Sequence, residues 1–385
     1  MDELLRLLEA WRIMRLGTRE VVDGLVAPEH RGPSPELRKV LDRWKGGWYW
    51  ADAARRRLVL VHPTAEARPP RWLLHAVLFA VTIVCSLGAG AALAGVWSPS
   101  LASGFLGVFT GAAQFFVGVA QGEWRPLLQG WTFAVPLLGI LLVHEGGHYF
   151  AARRYDIDTT PPFFLPIPPT LSPIGSLGAF IRLRSPVLDR RQLLDVGAAG
   201  PLAGFVVAVA VLVWGYRVST VTIPPLGLGT GSPAASWVVF AGQPIGLGDS
   251  LLTHWLRVLL VPGVRTAGTP VHLSLPAFAG WVGTFITGLN LLPLSQLDGG
   301  HVLYGLLGRH QRRVAGATVV ALLVLAGQSP TWLVWVAMTF LIGGGRWTHP
   351  SVVVPERPVP RGRRWVGLAC VAVFVVTFVP VPFGR

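Results

Sequence analysis

Residues Trp131–Ala152 read WTFAVPLLGILLVHEGGHYFAA, and the fold turns on how that stretch is taken. Trp131–Val143 carries no charge, and His144, Glu145 and His148 follow within little more than one helical turn. At about 1.5 Å per residue the segment is long enough to cross the roughly 30 Å hydrocarbon core of a bilayer. An ionisable side chain inside lipid costs roughly 2.5–3.5 kcal/mol even on the milder scales, so three together mark a functional site. The competing reading, a surface helix with a chance pattern, fails on the apolar run that precedes it.

Composition agrees with lipid as the solvent. The 385 residues are 52% hydrophobic and only 14% charged, against about 25% charged in soluble proteins. The apolar residues come in blocks. Trp72–Val96 is a second span, and Leu193–Gly215 and Leu275–Leu294 are two more. Val314–Ala326, Thr331–Ile342 and Trp365–Val379 are shorter candidates, while Leu101–Gln121 either spans, re-enters or lies at the interface. The expected fold is an all-α polytopic membrane protein of about 6–8 transmembrane helices. Pro161–Pro173, PPFFLPIPPTLSP, is too apolar for a solvated linker and is expected at or within the membrane.

Residues 1–71 differ, with 14 basic and 10 acidic residues and no apolar run of signal-peptide length. They are expected to form a small α+β cytosolic domain, either regulatory or a plain anchoring cap. Within it, amphipathic helices are expected over Asp2–Leu16 and Ser34–Trp44, and strands over Trp48–Ala51 and Leu58–His62. Residues 72–385 form the membrane domain, with its core at about 130–310.

The net charge is +14, almost all of the basic residues being arginine. No aromatic-basic motif accompanies it, so nucleic acid is not an expected partner. The arginines instead flank the apolar blocks, as cytosolic loops require. Arg153, Arg154, Arg182, Arg184, Arg190, Arg191, Arg309, Arg312, Arg313, Arg346, Arg357, Arg361, Arg363 and Arg364 share one side with the N-terminus. Segment 216–274, short and rich in Gly and Pro, falls on the other. Cys85 and Cys370 lie far apart in apolar runs and imply neither a disulfide framework nor a cysteine metal site.

His144 and His148 fit HExxH, a spacing that puts two imidazoles on one helix face where both can ligate one ion. Zinc suits neutral imidazole, and a catalytic zinc takes three protein ligands and leaves one position open. Glu145 projects about 100° further round the helix. There it can take a proton from water and return it to a leaving amine. Asp298 is the best third ligand; its alternative role is N-cap of a helix over 299–308. Gly299 and Gly300 beside it permit close backbone approach. His301 is a further ligand, a neighbour of the metal that supports it or stabilises the transition state, or an ordinary interfacial histidine. Asp195, close to several arginines, reads as a partner in a cytosolic-edge ion pair.

HEGGH in a membrane helix, followed by Asn290–Pro293 leading into Leu297-Asp298-Gly299-Gly300, resembles the site-2 protease family of intramembrane metalloproteases. Gly175-Ser176-Leu177-Gly178 and Ala199-Gly200-Pro201 resemble its bacterial and plastid branch. The resemblance covers about residues 70–310. It implies one Zn2+ per chain on His144, His148 and Asp298, with Glu145 as catalytic base and Asn290 holding substrate backbone or oxyanion. It also implies a membrane-associated β-hairpin over Pro161–Arg182, with Gly175–Gly178 offering a strand edge to an unwound transmembrane substrate. The expected setting is membrane lipid, in a bacterial inner membrane with the N-terminus cytosolic. The family pattern is met with glycine at both variable positions of HExxH. An inactive membrane-protein-binding relative and an ion transporter are the rival readings. The full ligand set opposes the first and the lack of internal repeats opposes the second.

Overall fold

The computed structural model describes residues 2–384 apart from 17–18, 32–33, 45, 53, 64–68, 99–104, 185–186, 224–234, 267, 350–351, 353–354 and 356–358. Arg357 and the first four residues of the expected segment Leu101–Gln121 therefore lie outside the described residues.

The chain opens with α1 (Asp2–Leu5), β1 (Leu8–Leu16), β2 (Arg19–Val26), α2 (Pro35–Asp42), β3 (Gly47–Trp50) and β4 (Arg57–Pro63). The strands form one antiparallel sheet in the order β1-β2-β4-β3. The helix expected over Asp2–Leu16 is thus corrected: only its first turn is helical. β2 supplies the reason, since Val21, Val22 and Val26 are fully buried in a β-branched strand that pairs with Leu8–Leu16 along its length. On this edge strand Trp11 and Ile13 are left 49% and 41% exposed. α2 forms as expected. Ser34 caps it by accepting from the Leu37 N–H, Pro35 starts it, and Leu37 and Leu41 pack one turn apart against Leu4, Leu8, Val22 and Leu58. The opposite face of the sheet packs Val21, Val59 and Val61 on Leu188.

Helices dominate the remainder: α3 (Trp72–Leu93), α4 (Phe105–Ala120), α5 (Trp131–Arg154), α6 (Arg190–Arg217), α7 (Leu251–Leu260), α8 (Leu275–Asn290), α9 (Asp298–Leu307), α10 (Gln311–Leu325), α11 (Thr331–Ile342) and α12 (Arg361–Thr377). Three of them are long and apolar enough to cross a membrane: α3, α5 with the turn before it (Pro126–Arg154), and α6. α6 lies at the centre, packed on α5, α8 and α9. Phe133 of α5 stacks on Phe278 of α8, beside Trp281 and Phe285. At the basic end of α6, Arg190 donates to the last carbonyls of α9, Gly305 and Leu306, both at 2.8 Å. This ties the two helices together where α9 has no further turn to satisfy those groups.

Two small sheets complete the molecule. β5 (Phe163–Pro166) and β6 (Ser176–Phe180) form an antiparallel hairpin with Phe163 stacked on Phe180. β7 (Thr220–Val221), β8 (Ser236–Phe240), β9 (Gln243–Leu247), β10 (Val271–His272) and β11 (Phe383–Gly384) form the other, in the order β11-β9-β8-β10-β7. β11, just beyond α12, pairs with β9 inside segment 216–274. The chain end and that segment consequently share one side, opposite the arginines that open α6, α10 and α12.

Candidate metal centre

His144 and His148 project from α5 toward α6, and Asp298 meets them from the first turn of α9. His144 Nε2 and His148 Nε2 are 3.2 Å apart, and Asp298 Oδ2 is 3.3 Å from each. Asp298 is not the helix N-cap: Leu297 holds that position, without a side-chain capping bond. Its carboxylate is left free to face the imidazoles. The His148 Nδ1–H donates to the Val196 carbonyl at 2.7 Å. That bond assigns the proton to Nδ1 in the neutral ring and leaves the Nε2 lone pair pointing at the cluster.

This triangle fits a zinc ion. Ligands placed about 2.0–2.1 Å from a tetrahedral centre lie about 3.3–3.4 Å from one another. The three observed separations match that within 0.2 Å. Without a cation, the ring lone pairs and a carboxylate oxygen would repel at this distance, and proton sharing relieves only part of that. The same three residues form the one cluster of metal-ligating groups found among the described residues.

Close packing sets the triangle in place. A Cβ added at Gly147 would lie 2.5 Å from the Ala199 carbonyl oxygen of α6, and one at Gly200 would overlap the His148 ring. Gly146, by contrast, meets only Phe150, at 3.9 Å. Helix contact therefore accounts for one of the two glycines within HEGGH. Around Asp298, a Cβ at Gly299 or Gly300 would run into the carbonyls of Leu291, Leu294 and Ser295, so the tight turn that delivers the carboxylate needs both glycines.

Glu145 is buried beside the triangle; His144, Glu145 and His148 are 4%, 5% and 6% exposed. All three line a cleft of about 200 Å³ together with Ala179, Ile181, Asn290 and Asp298. The Ile181 main chain reaches the Glu145 carboxylate. Asn290, the last residue of α8, brings its Nδ2 to 3.4 Å from His144 Nε2. The hairpin thus borders the cleft at Ala179–Ile181. Gly175, Ser176, Leu177 and Gly178 stand further out: Gly175 packs on the α3 backbone at Cys85, and Leu177 is exposed. Asp195 sits apart at the basic edge, taking the Tyr155 hydroxyl and Arg363 Nε. His301 lines the cleft, and its Nδ1 lies 2.7 Å from Nε2 of His349. His349 was not expected from the sequence, where a lone histidine in a loop carries no periodic signal.

The model of peptidase family M50 matches residues 132–331, a span that holds His144, Glu145, His148, Asn290, Asp298 and His301. Among curated proteins, the chain is 31% identical over 245 residues to a probable chloroplastic zinc metalloprotease, EGY2 of Arabidopsis thaliana, covering 63% of this chain and 40% of that one. It is 31% identical over 259 residues to EGY1 of the same plant, named likewise, covering 64% and 42%. The corresponding EGY3 of Oryza sativa subsp. indica is 28% identical over 253 residues, covering 63% and 41%. The chain spans about two fifths of the length of these relatives. No solved structure matches it.

Proposed function

The chain belongs to peptidase family M50, and from that premise we propose that it is a zinc metalloendopeptidase that cuts membrane proteins in or near their transmembrane segments. One observation carries the reading: three ligand atoms 3.2–3.3 Å apart, on helices that are distant in sequence, inside the apolar body.

One Zn2+ held by His144, His148 and Asp298 would supply Lewis acidity to a water and to the scissile carbonyl. Glu145 takes the proton from the attacking water and passes it to the departing amine. Asn290, at the same end of the cleft, offers an amide N–H to the substrate backbone or to the charge growing on the carbonyl oxygen. A helical substrate hides its carbonyls in its own hydrogen bonds and must be unwound first. Strand β6 supports this step, since its Ser176–Gly178 half, entered from Gly175, continues the edge that borders the cleft at Ala179 and Ile181, and strand addition supplies the replacement bonds.

The shorter helices α8 with α9, α10, α11 and α12 add to the three long ones, giving a protein of 6–8 spans with residues 1–71 as a cytosolic domain and 72–385 as the membrane domain. Its substrates are transmembrane proteins in a lipid bilayer, and a bacterial inner membrane fits the arginine-flanked spans. Reconstitution with a single-span model substrate tests the reading. Wild-type protein cleaves it, Glu145→Gln keeps zinc and does not cleave, and Asp298→Asn loses much of both. Cleavage surviving in Glu145→Gln would remove the assignment.

A further inference from the structure

The loop that delivers Asp298 is held from behind in part by chain outside the family match. After α11, residues 343–349 fold back onto it. The Ser295 N–H donates to the Trp347 carbonyl at 2.7 Å. Buried Gln311 donates to the Pro293 carbonyl at 3.1 Å and accepts from the His349 N–H at 3.3 Å. These bonds place the His349 ring against Tyr304, with centroids 4.8 Å apart, and its Nε2 2.7 Å from His301 Nδ1.

Two ring nitrogens at that distance share one proton, in one of two arrangements. Either His301 donates from Nδ1 and turns a lone pair to the cleft, or His349 donates and the His301 proton moves to Nε2. The cleft already holds the carboxylates of Glu145 and Asp298. A bound Zn2+ would offset that charge, so what favours an N–H facing the cleft is the negative charge that develops on the substrate oxygen during the reaction. His301 Nε2 meets no protein hydrogen-bond partner among the described residues. The base of the side chain lies close against α6: a Cβ at Gly197 would lie 2.6 Å from His301 Cβ.

We propose that His349 is a positioning residue that donates to His301 Nδ1 and so presents the His301 Nε2–H to the negative charge developing on the scissile carbonyl oxygen. This rests on the proteolytic reading above and adds a second donor beside Asn290. It also gives the segment after α11 a part in the reaction.

The test uses the full-length, zinc-loaded protein with a cleavable transmembrane substrate. His349→Phe keeps a ring on Tyr304 and removes the hydrogen bond, and His349→Gln restores a donor. His349→Phe is expected to lower kcat about tenfold or more, with KM within about twofold and zinc content unchanged. His349→Gln recovers most of the loss, and in a His301→Phe background His349→Phe has no further effect. Equal losses in the Phe and Gln variants, additive losses in the double variant, or loss of zinc would overturn the proposal. Imidazole 15N shifts give a readout apart from turnover. They are expected to show His301 protonated on Nε2 in the wild type, and protonation on Nδ1 contradicts the proposal. Should the wild-type protein fail to cleave at all, the proteolytic reading falls, while the 15N spectrum still decides the histidine pair.

Discussion

The two glycines between Glu145 and His148 serve different ends. Gly147 is where α5 touches the α6 backbone, whereas Gly146 faces little more than the edge of Phe150. Gly146→Ala should therefore stabilise the helix by about 1 kcal/mol, seen as a raised Tm with zinc content unchanged. Gly147→Ala should lower Tm and reduce zinc content, because the helices must separate and the His148 ring moves with them. Equal effects of the two substitutions would show that α5 and α6 are not in contact here. Most of the site was legible at this scale. HEGGH declares itself by placing ionisable groups at helical spacing inside an apolar run, and Asp298 by its glycine-rich turn just beyond another. His349 was not legible, because its place is set by bonds from Gln311 and Ser295 that no local pattern encodes.

Long apolar helices follow from composition, and α3, α5 and α6 fall where the apolar blocks predict. Elements stabilised by distant partners do not. Leu8–Leu16 became an edge strand because β2 offered it a full ladder, which outweighs local helical preference. Segment 216–274 hid a hairpin, β8 to β9, whose Ala241-Gly242 turn has positive φ at both residues, 50° and 78°. That is the turn a right-twisted hairpin prefers, with glycine at its second position. Beside it α7 buries Arg257 completely against Asp249, with Nη2 to Oδ2 at 2.8 Å. Removing one partner of a buried pair strands the other charge. Arg257→Leu should thus cost roughly 3–5 kcal/mol, measured by chemical denaturation. Adding Asp249→Asn should return part of it. Full additivity of the two losses would mean that the pair is not coupled.

Across the whole molecule, charge and sheet topology agree on a threading. The N-terminal arginines of α6, α10 and α12 lie at one end, and the β8–β9 sheet, closed by β11, at the other. The native cysteines are buried, so single reporters can be added on a quiet background. A membrane-impermeant maleimide applied to intact cells should label Thr266→Cys, on the sheet side, and should label Arg309→Cys only after permeabilisation. Labelling of Arg309→Cys in intact cells would invert the threading.

Everything functional depends on one cation drawn to two imidazoles and a carboxylate from separate helices. Zinc K-edge X-ray absorption on the purified protein addresses this directly. One zinc per chain is expected, bound by nitrogen and oxygen at about 2.0–2.1 Å, with imidazole scattering from two rings that drops to one in His148→Ala. Absence of zinc, sulfur in its coordination shell, or a spectrum indifferent to His148 and Asp298 would contradict it.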